Sequence, residues 1–251
     1  MYFILYSLGV ATKPVPFYVA VDIVAMTIEN KELKTVVVHR ETAKTGVLAL
    51  PGGIVKPNES LRRAAMRELF EETGIKVEAD QLHQGRAFGD PDRDPRGRYV
   101  TIAYVALLPI IDVLSAGSDA ATAELVPVQR ILSGKLKLEF DHNKIVRTAY
   151  KKAIKLIEET SAATSFCNRK GFSLSELRNV YETILGWEID SANFRRKVAE
   201  TKGLVEFVEA GSLTPSGGTR GRPSDTYKRG KAVELDPPMR FRGPSDKNSR
   251  Y

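Results

Sequence analysis

The chain of 251 residues holds a single cysteine, Cys167. That excludes an internal disulfide framework and fits a reducing, cytoplasmic compartment, with Cys167 itself read as a small buried hydrophobe. No apolar run reaches membrane-spanning length: the greasiest stretch, Tyr99 to Ile111, falls short of the ~20 residues a bilayer requires. Met1 to Val10 is apolar but lacks a basic flank and a long hydrophobic region, so no secretory leader is expected. His39, His83 and His142 form no metal-ligand spacing and are read as structural. Internal repeats are absent. What is present is a globular composition, 42% apolar and 27% charged, sufficient for one or two domains with their own cores.

Charge is unevenly shared. The net charge is +7, and Arg169 to Tyr251 carries 16 basic against 11 acidic residues, the first 168 residues 22 against 20. The last third therefore suggests an anionic partner, a solvated basic face being the alternative. Residues 17–160 read as one mixed α+β domain after an N-terminal extension, 1–16. Phe17–Thr27 and Lys34–Arg40 are β-rich with the polar turn Glu29-Asn30-Lys31 between them, the outline of a hairpin. A Gly-rich loop, Leu48 to Gly53, precedes a helix over Ser60–Thr73 that Gly74 should end; Val100–Leu108 reads as a strand and Asp141–Glu159 as a long amphipathic helix. Residues 161–168, small and polar, read as a linker. The pattern then changes to two short helices and a Gly-rich hairpin over 169–228, followed by a basic tail, 229–251, disordered or a late strand.

The helix over Ser60–Thr73 places Glu68, Glu71 and Glu72 within one arc, at spacings i, i+3 and i+4. Like charges so spaced oppose one another by ~0.2–0.5 kcal/mol per pair. Glu71 and Glu72 also meet the negative end of the helix dipole, which favours lysine or arginine. A bound cation relieves both costs, and oxygen-only ligands suit Mg²⁺ or Mn²⁺. Gly52 and Gly53 let backbone approach a pyrophosphate, so metal-assisted attack of water on a diphosphate is the implied chemistry. Glu59 and Arg67 read as braces between loop and helix rather than ligands.

These positions, from Gly53 through Glu59, Arg67-Glu68, Leu69, Glu71-Glu72 and Gly74 to Ile75, resemble the Nudix box at every fixed place. The resemblance implies an α/β/α sandwich acting on nucleoside diphosphates linked to another group, with Glu68, Glu71 and Glu72 as metal ligands. Phe88-Gly-Asp-Pro-Asp-Arg-Asp-Pro-Arg-Gly-Arg98 is similar to the loop of ADP-ribose-recognising members. There Arg93, Arg96 and Arg98 would pair with phosphate or ribose and Phe88 would stack on a base, against the plainer reading of a turn with solvated arginines. Arg40 is a further phosphate candidate. The general base stays open among Asp112, Asp119 and Glu124.

In the basic third, Ser173 and Glu176 make a capping box, and Leu174, Leu177, Tyr181, Ile184 and Leu185 recur with helical period. Gly186 to Ile189 is a short turn, with Trp187 as a turn or core anchor, and Asp190 caps a second helix over Ser191–Lys202, the helix-turn-helix outline. Phe194, Val198 and Thr201 fall on one side of it, and Asn193, Arg196 and Lys197 on another with Arg195 beside them; Asn reads adenine and Arg guanine by paired hydrogen bonds. Short strands over Leu204–Glu209 and Asp225–Lys228 flank a Gly-rich tip bearing Arg220 and Arg222, a wing able to reach phosphate or a minor groove. With the Nudix box, this run resembles the Nudix-related transcriptional regulators of NAD metabolism, the NrtR family, over roughly residues 17–228. The resemblance implies a Nudix sandwich plus a winged helix, and a homodimer on palindromic double-stranded operators of NAD biosynthesis or salvage genes, released by ADP-ribose or a related nucleotide. Many members have degenerate boxes, whereas this one is intact, so the alternative is a Mg²⁺-dependent ADP-ribose pyrophosphatase, alone or beside the regulatory role.

Overall fold

Strand β1, Tyr18–Glu29, carries apolar side chains on both faces, which requires a sheet covered on two sides. The computed structural model describes residues 16–39, 47–109, 123–210 and 225–243. Among them β1 pairs antiparallel with β2 (Glu32–His39) and β4 (Gly52–Ile54), and β2 holds β3 (Leu48–Ala49). On its other side β1 runs parallel to β6 (Tyr99–Leu107), which carries the edge strand β5 (Leu82–Phe88), while β7 (Ala123–Pro127) pairs with β2. The described strands form a seven-stranded mixed sheet.

Alternation along β1 sorts its side chains between two helix layers. Val21, Ile23 and Ala25 share a core with Ala64, Ala65 and Leu69 of α1 (Leu61–Thr73). Val24 and Met26 share the other with Ile145, Val146 and Ala149 of α3 (His142–Glu159), which follows the short helix α2 (Val128–Leu132). The α/β/α sandwich is therefore present. Its hairpin turn has Asn30 and Lys31 at φ 52° and 60°, the paired positive values of a tight two-residue turn that matches strand twist. Helix α1 starts at the Ser60 cap and stops at Gly74, whose φ of 73° lets its N–H turn back to the Phe70 carbonyl.

The second unit follows the expected order. Helix α4 (Leu174–Leu185) opens on the Ser173/Glu176 capping box, Gly186 ends it at φ 84°, and Asp190 caps α5 (Ser191–Glu200). Strands β8 (Val205–Glu209) and β9 (Thr226–Arg229) pair antiparallel as the wing stem. The tip with Arg220 and Arg222 lies outside the described residues, as do the N-terminal extension to residue 15 and Arg40.

Three segments differ from expectation. Gly52 and Gly53 are strand rather than loop, because they pair with Asp22 and Val21 at a separation that admits no Cβ on Gly52. Residues 161–166, expected as linker, form a 3₁₀ turn with Ser161, Ala162, Ala163, Thr164 and Phe166 buried; small side chains serve close packing here rather than freedom. The described part of the tail, 230–243, is ordered, since Leu235, Met239 and Phe241 are buried among charged residues that mask the pattern.

One core joins the two units. The last four carbonyls of a helix have no partner within it. At the end of α3, Leu156 O accepts from Thr160 N–H, Ile157 O from the Tyr181 hydroxyl (2.7 Å), Glu158 O from Met239 N–H and Glu159 O from Leu235 N–H. The Tyr150 hydroxyl of α3 donates in return to Ile184 O near the end of α4, at 2.7 Å. Burial pushes the Tyr181 hydroxyl pKa far above its usual value, so it stays a donor. Tyr181→Phe orphans the buried Ile157 carbonyl and should cost ~1–3 kcal/mol, read as a lower urea midpoint with unchanged slope.

Candidate functional site

The β1–β4 pairing brings Asp22 beside Gly52 at the end of α1. A cavity of about 230 Å³ opens there, with Gly52, Gly53, Glu72, Arg93, Arg96 and Tyr99 in its wall and Asp22, Phe140 and His142 beside them. Glu72 accepts the Gly52 N–H at 2.9 Å. The Glu68 carboxylate lies close over Gly53, where a Cβ would be. Arg67 reaches Glu59 at 3.0 Å, Glu68 at 2.6 Å and Glu71 at 3.0 Å, so it binds the strand β4 region to α1 as the brace its spacing suggested. The hydrogen bond from Arg67, then the Lys56 N–H, holds the Glu59 carboxyl down at about 2.

An oxygen-only donor set fits a hard divalent ion in its chemistry. Here Glu68 and Glu71 pair with Arg67, and Glu72 accepts the Gly52 N–H. Among the described residues no three carboxylate, histidine or cysteine side chains gather as a metal site.

Several loop residues have roles the sequence did not disclose. Phe88, expected to stack on a base, is buried in the core that faces α3, because it ends a strand whose inner face is covered. Arg93, expected on phosphate, is 7% exposed and donates to both oxygens of Asp141, at 2.7 and 3.3 Å, and to Asp22 at 3.3 Å. Asp141 precedes α3 yet makes no side-chain cap, since its carboxylate is taken by Arg93. His142 Nδ1 accepts Leu50 N–H at 3.0 Å, leaving Nε2 as the protonated nitrogen, 3.5 Å from Asp22. Arg98 donates to the carbonyls of Gly89 and Asp90 and sits 5.0 Å over the Phe17 ring, bracing its own loop. The arginine that faces the cavity most freely is Arg96, paired with Asp94 and stacked over Tyr99 and Phe140 at 5.2 and 5.0 Å. Asp22, Phe140 and His142 were missed; the only signal was their place at the centre of β1 and the start of α3. Glu124 pairs with His39 at 3.3 Å on β7 and β2, outside the cavity wall, and Asp112 and Asp119 lie outside the described residues.

The second candidate surface is α5. Phe194 and Val198 are buried and Arg195 and Arg196 exposed, which separates the faces as their spacing required. Arg196 donates to Asn193 Oδ1 at 2.9 Å and pairs with Glu200 at 3.1 Å. Lys197 departs from them: its ammonium sits 5.6 Å over the Phe241 ring. Arg195 borders a cleft of about 780 Å³ between α5 and the wing stem, with Val205, Phe207 and Tyr227 opposite.

A sandwich with a carboxylate-bearing helix beside a glycine pair, sharing its core with a winged helix, defines a Nudix protein fused to a DNA-binding module. Residues 16–149 match the family described as NUDIX domain, and residues 169–228 the NrtR DNA-binding winged helix domain. The chain is 30% identical over 211 residues to the ADPR responsive transcriptional repressor NtrR of Acinetobacter baylyi, covering 83% of this chain and 80% of that one. It is 37% identical over 119 residues to an ADP-ribose pyrophosphatase of Methanocaldococcus jannaschii, covering 47% of this chain and 66% of that one. The crystal structure of Shewanella oneidensis NrtR complexed with a 27mer DNA is similar with TM-score 0.66 and 26% identity, over 84% of this chain and 93% of that one. The chain belongs to the NrtR family of Nudix-related transcriptional regulators.

Two outcomes follow from the site. Removing Arg93 takes away the guanidinium shared by buried Asp22 and half-buried Asp141, and Arg93→Ala should cost up to ~3–5 kcal/mol of stability in a urea titration. Glu59 titrates near 4.3 when unfolded and at about 2 when folded, so its contribution is complete above ~4.3 and lost as pH falls toward 2. Glu59→Gln should flatten the decline in melting temperature across that window.

Proposed function

We propose that the chain is an operator-binding repressor whose Nudix cavity takes ADP-ribose or a related NAD-derived nucleotide, and that occupancy lowers its affinity for DNA. The observation that carries this reading is the shared core: the helix that starts at the cavity with Asp141 and His142 ends against α4 of the winged helix. Asn193, Arg195 and Arg196 are the base and phosphate readers, with Lys197 released from Phe241 on contact, and Arg220 and Arg222 reach backbone or minor groove from the wing. The surface pairs of Arg196 with Asn193 and Glu200 are exposed and cost little to exchange for DNA. In the cavity, Arg96 with Tyr99 and Phe140 faces the nucleotide, Gly52 and Gly53 admit its diphosphate, and Arg93 holds Asp22 and Asp141 in place behind it. Arg98 adds positive charge around the same loop, and Arg40 is a further phosphate candidate by its sequence. Mg²⁺ or Mn²⁺, held by Glu68, Glu71 and Glu72, would neutralise phosphate charge when bound. A homodimer on a palindromic site, acting in the cytoplasm on NAD biosynthesis or salvage genes, completes the proposal.

The intact carboxylate set supports a second reading, ADP-ribose pyrophosphatase activity. Incubation with ADP-ribose and Mg²⁺ yields AMP if that reading holds, and Glu72→Gln abolishes it; absence of AMP removes the reading without touching the first.

The regulator reading is tested by gel shift against DNA upstream of NAD genes, with and without ADP-ribose. A coupling of ~1–3 kcal/mol weakens binding about 5–150-fold. Arg196→Ala should cost ~1–3 kcal/mol and relax base preference, and the logarithm of affinity should fall with that of salt with a slope of about −0.9 per phosphate contacted. A protein that shifts no such fragment at moderate salt is not this repressor.

A further inference from the structure

The winged-helix match ends at residue 228, and the described chain continues to residue 243. Those last residues run as a strap across the back of the winged helix. Gly230 and Ala232 N–H groups donate to Leu204 and Gly203 carbonyls, which starts the strap at the turn after α5. It then grips α3: Leu235 and Met239 N–H groups satisfy the Glu159 and Glu158 carbonyls, and Arg240 bonds the Glu159 carboxylate at 2.8 Å. It also grips α5. The Thr201 hydroxyl donates to Pro237 O at 3.1 Å, and the Phe241 ring stacks on Phe194 at 5.7 Å and 18°. The same ring lies edge-on to Tyr181 at 5.5 Å and beneath the Lys197 ammonium.

We propose that residues 230–243 position the recognition helix against α3 and carry the effector's signal from α3 to the DNA-reading face, with Arg240 and Phe241 as positioning residues. The proposal rests on the regulator reading above. Its physical basis is the pair of grips. Helix α3 spans 18 residues from His142 at the cavity to the carbonyls the strap caps. A helix of that length is roughly 27 Å of rigid rod, so a displacement at one end is delivered at the other. The α4 route to α5 passes through the Tyr150 and Tyr181 hydroxyls and the turn from Gly186 to Asp190. The strap touches both α3 and α5 directly, and it sets the position of Lys197 through Phe241.

The test uses the full chain, an upstream DNA fragment that the wild type binds, and ADP-ribose as probe. Operator affinity is measured by fluorescence anisotropy with and without ADP-ribose, and ADP-ribose affinity by calorimetry on the free protein. Arg240→Glu sets a third carboxylate beside Glu158 and Glu159; Phe241→Ala removes the ring under Lys197; Arg240→Lys and Phe241→Tyr are the conservative partners. The expected result is that Arg240→Glu and Phe241→Ala keep ADP-ribose affinity within about twofold while the weakening of DNA binding by ADP-ribose shrinks by about fivefold or more. The conservative variants restore it. A folded Arg240→Glu protein, altered only at an exposed side chain, that releases DNA as the wild type does overturns the strap's role even where Phe241→Ala fails to fold. A wild type that binds the fragment and ignores ADP-ribose overturns the regulator reading, and this inference with it.

Discussion

Four carbonyl groups at the end of α3 decide how this molecule is assembled. A helix that ends inside a core must find partners for those groups or lose ~1–3 kcal/mol for each one left bare. Here the partners come from three places: Thr160 beside it, Tyr181 on α4, and Met239 and Leu235 on the strap. Satisfying one helix end thereby fixes the winged helix and the C-terminal strap against the Nudix sandwich. The reciprocal bond from Tyr150 to Ile184 does the same for α4. The two halves consequently share a core instead of hanging from a tether.

The other end of α3 is held by charge. Arg93 lies between Asp22 and Asp141, and His142 lies between Leu50 and Asp22. A buried guanidinium with two carboxylates is costly to desolvate, and it persists because each group would be worse off alone. This cluster forms the inner wall of the cavity and the first turn of α3 together. Any ligand that draws on Arg93, Asp22 or the Gly52 backbone acts on the helix that reaches the DNA-binding unit.

Much of this was legible in the sequence, and the reasons are physical. The β-rich runs on either side of the Glu29-Asn30-Lys31 turn, the Ser173/Glu176 capping box and Gly74 as a helix stop are local signals, and local signals survive folding. The three box carboxylates and the polar face of α5 were legible because helical periodicity places them before any tertiary contact exists. Phe88 and Arg93 are more buried than the loop composition suggested, because their exposure depends on what covers them, a property of the sheet and of α3 rather than of the loop. The 161–168 segment and the tail looked loose by composition. Small residues pack as well as they flex, and three apolar side chains among charges suffice to order a strap. Asp22, Phe140 and His142 carried no spacing signal, since only the fold brings them together.

The central claim is that one molecule couples nucleotide binding at the start of α3 to DNA binding beyond its end. Linkage requires the coupling to be reciprocal. Calorimetric titration of ADP-ribose into the free protein and into the protein saturated with its DNA tests this directly. The account predicts weaker ADP-ribose binding in the DNA complex, by the same factor by which ADP-ribose weakens DNA binding; equal affinities in the two titrations would contradict it.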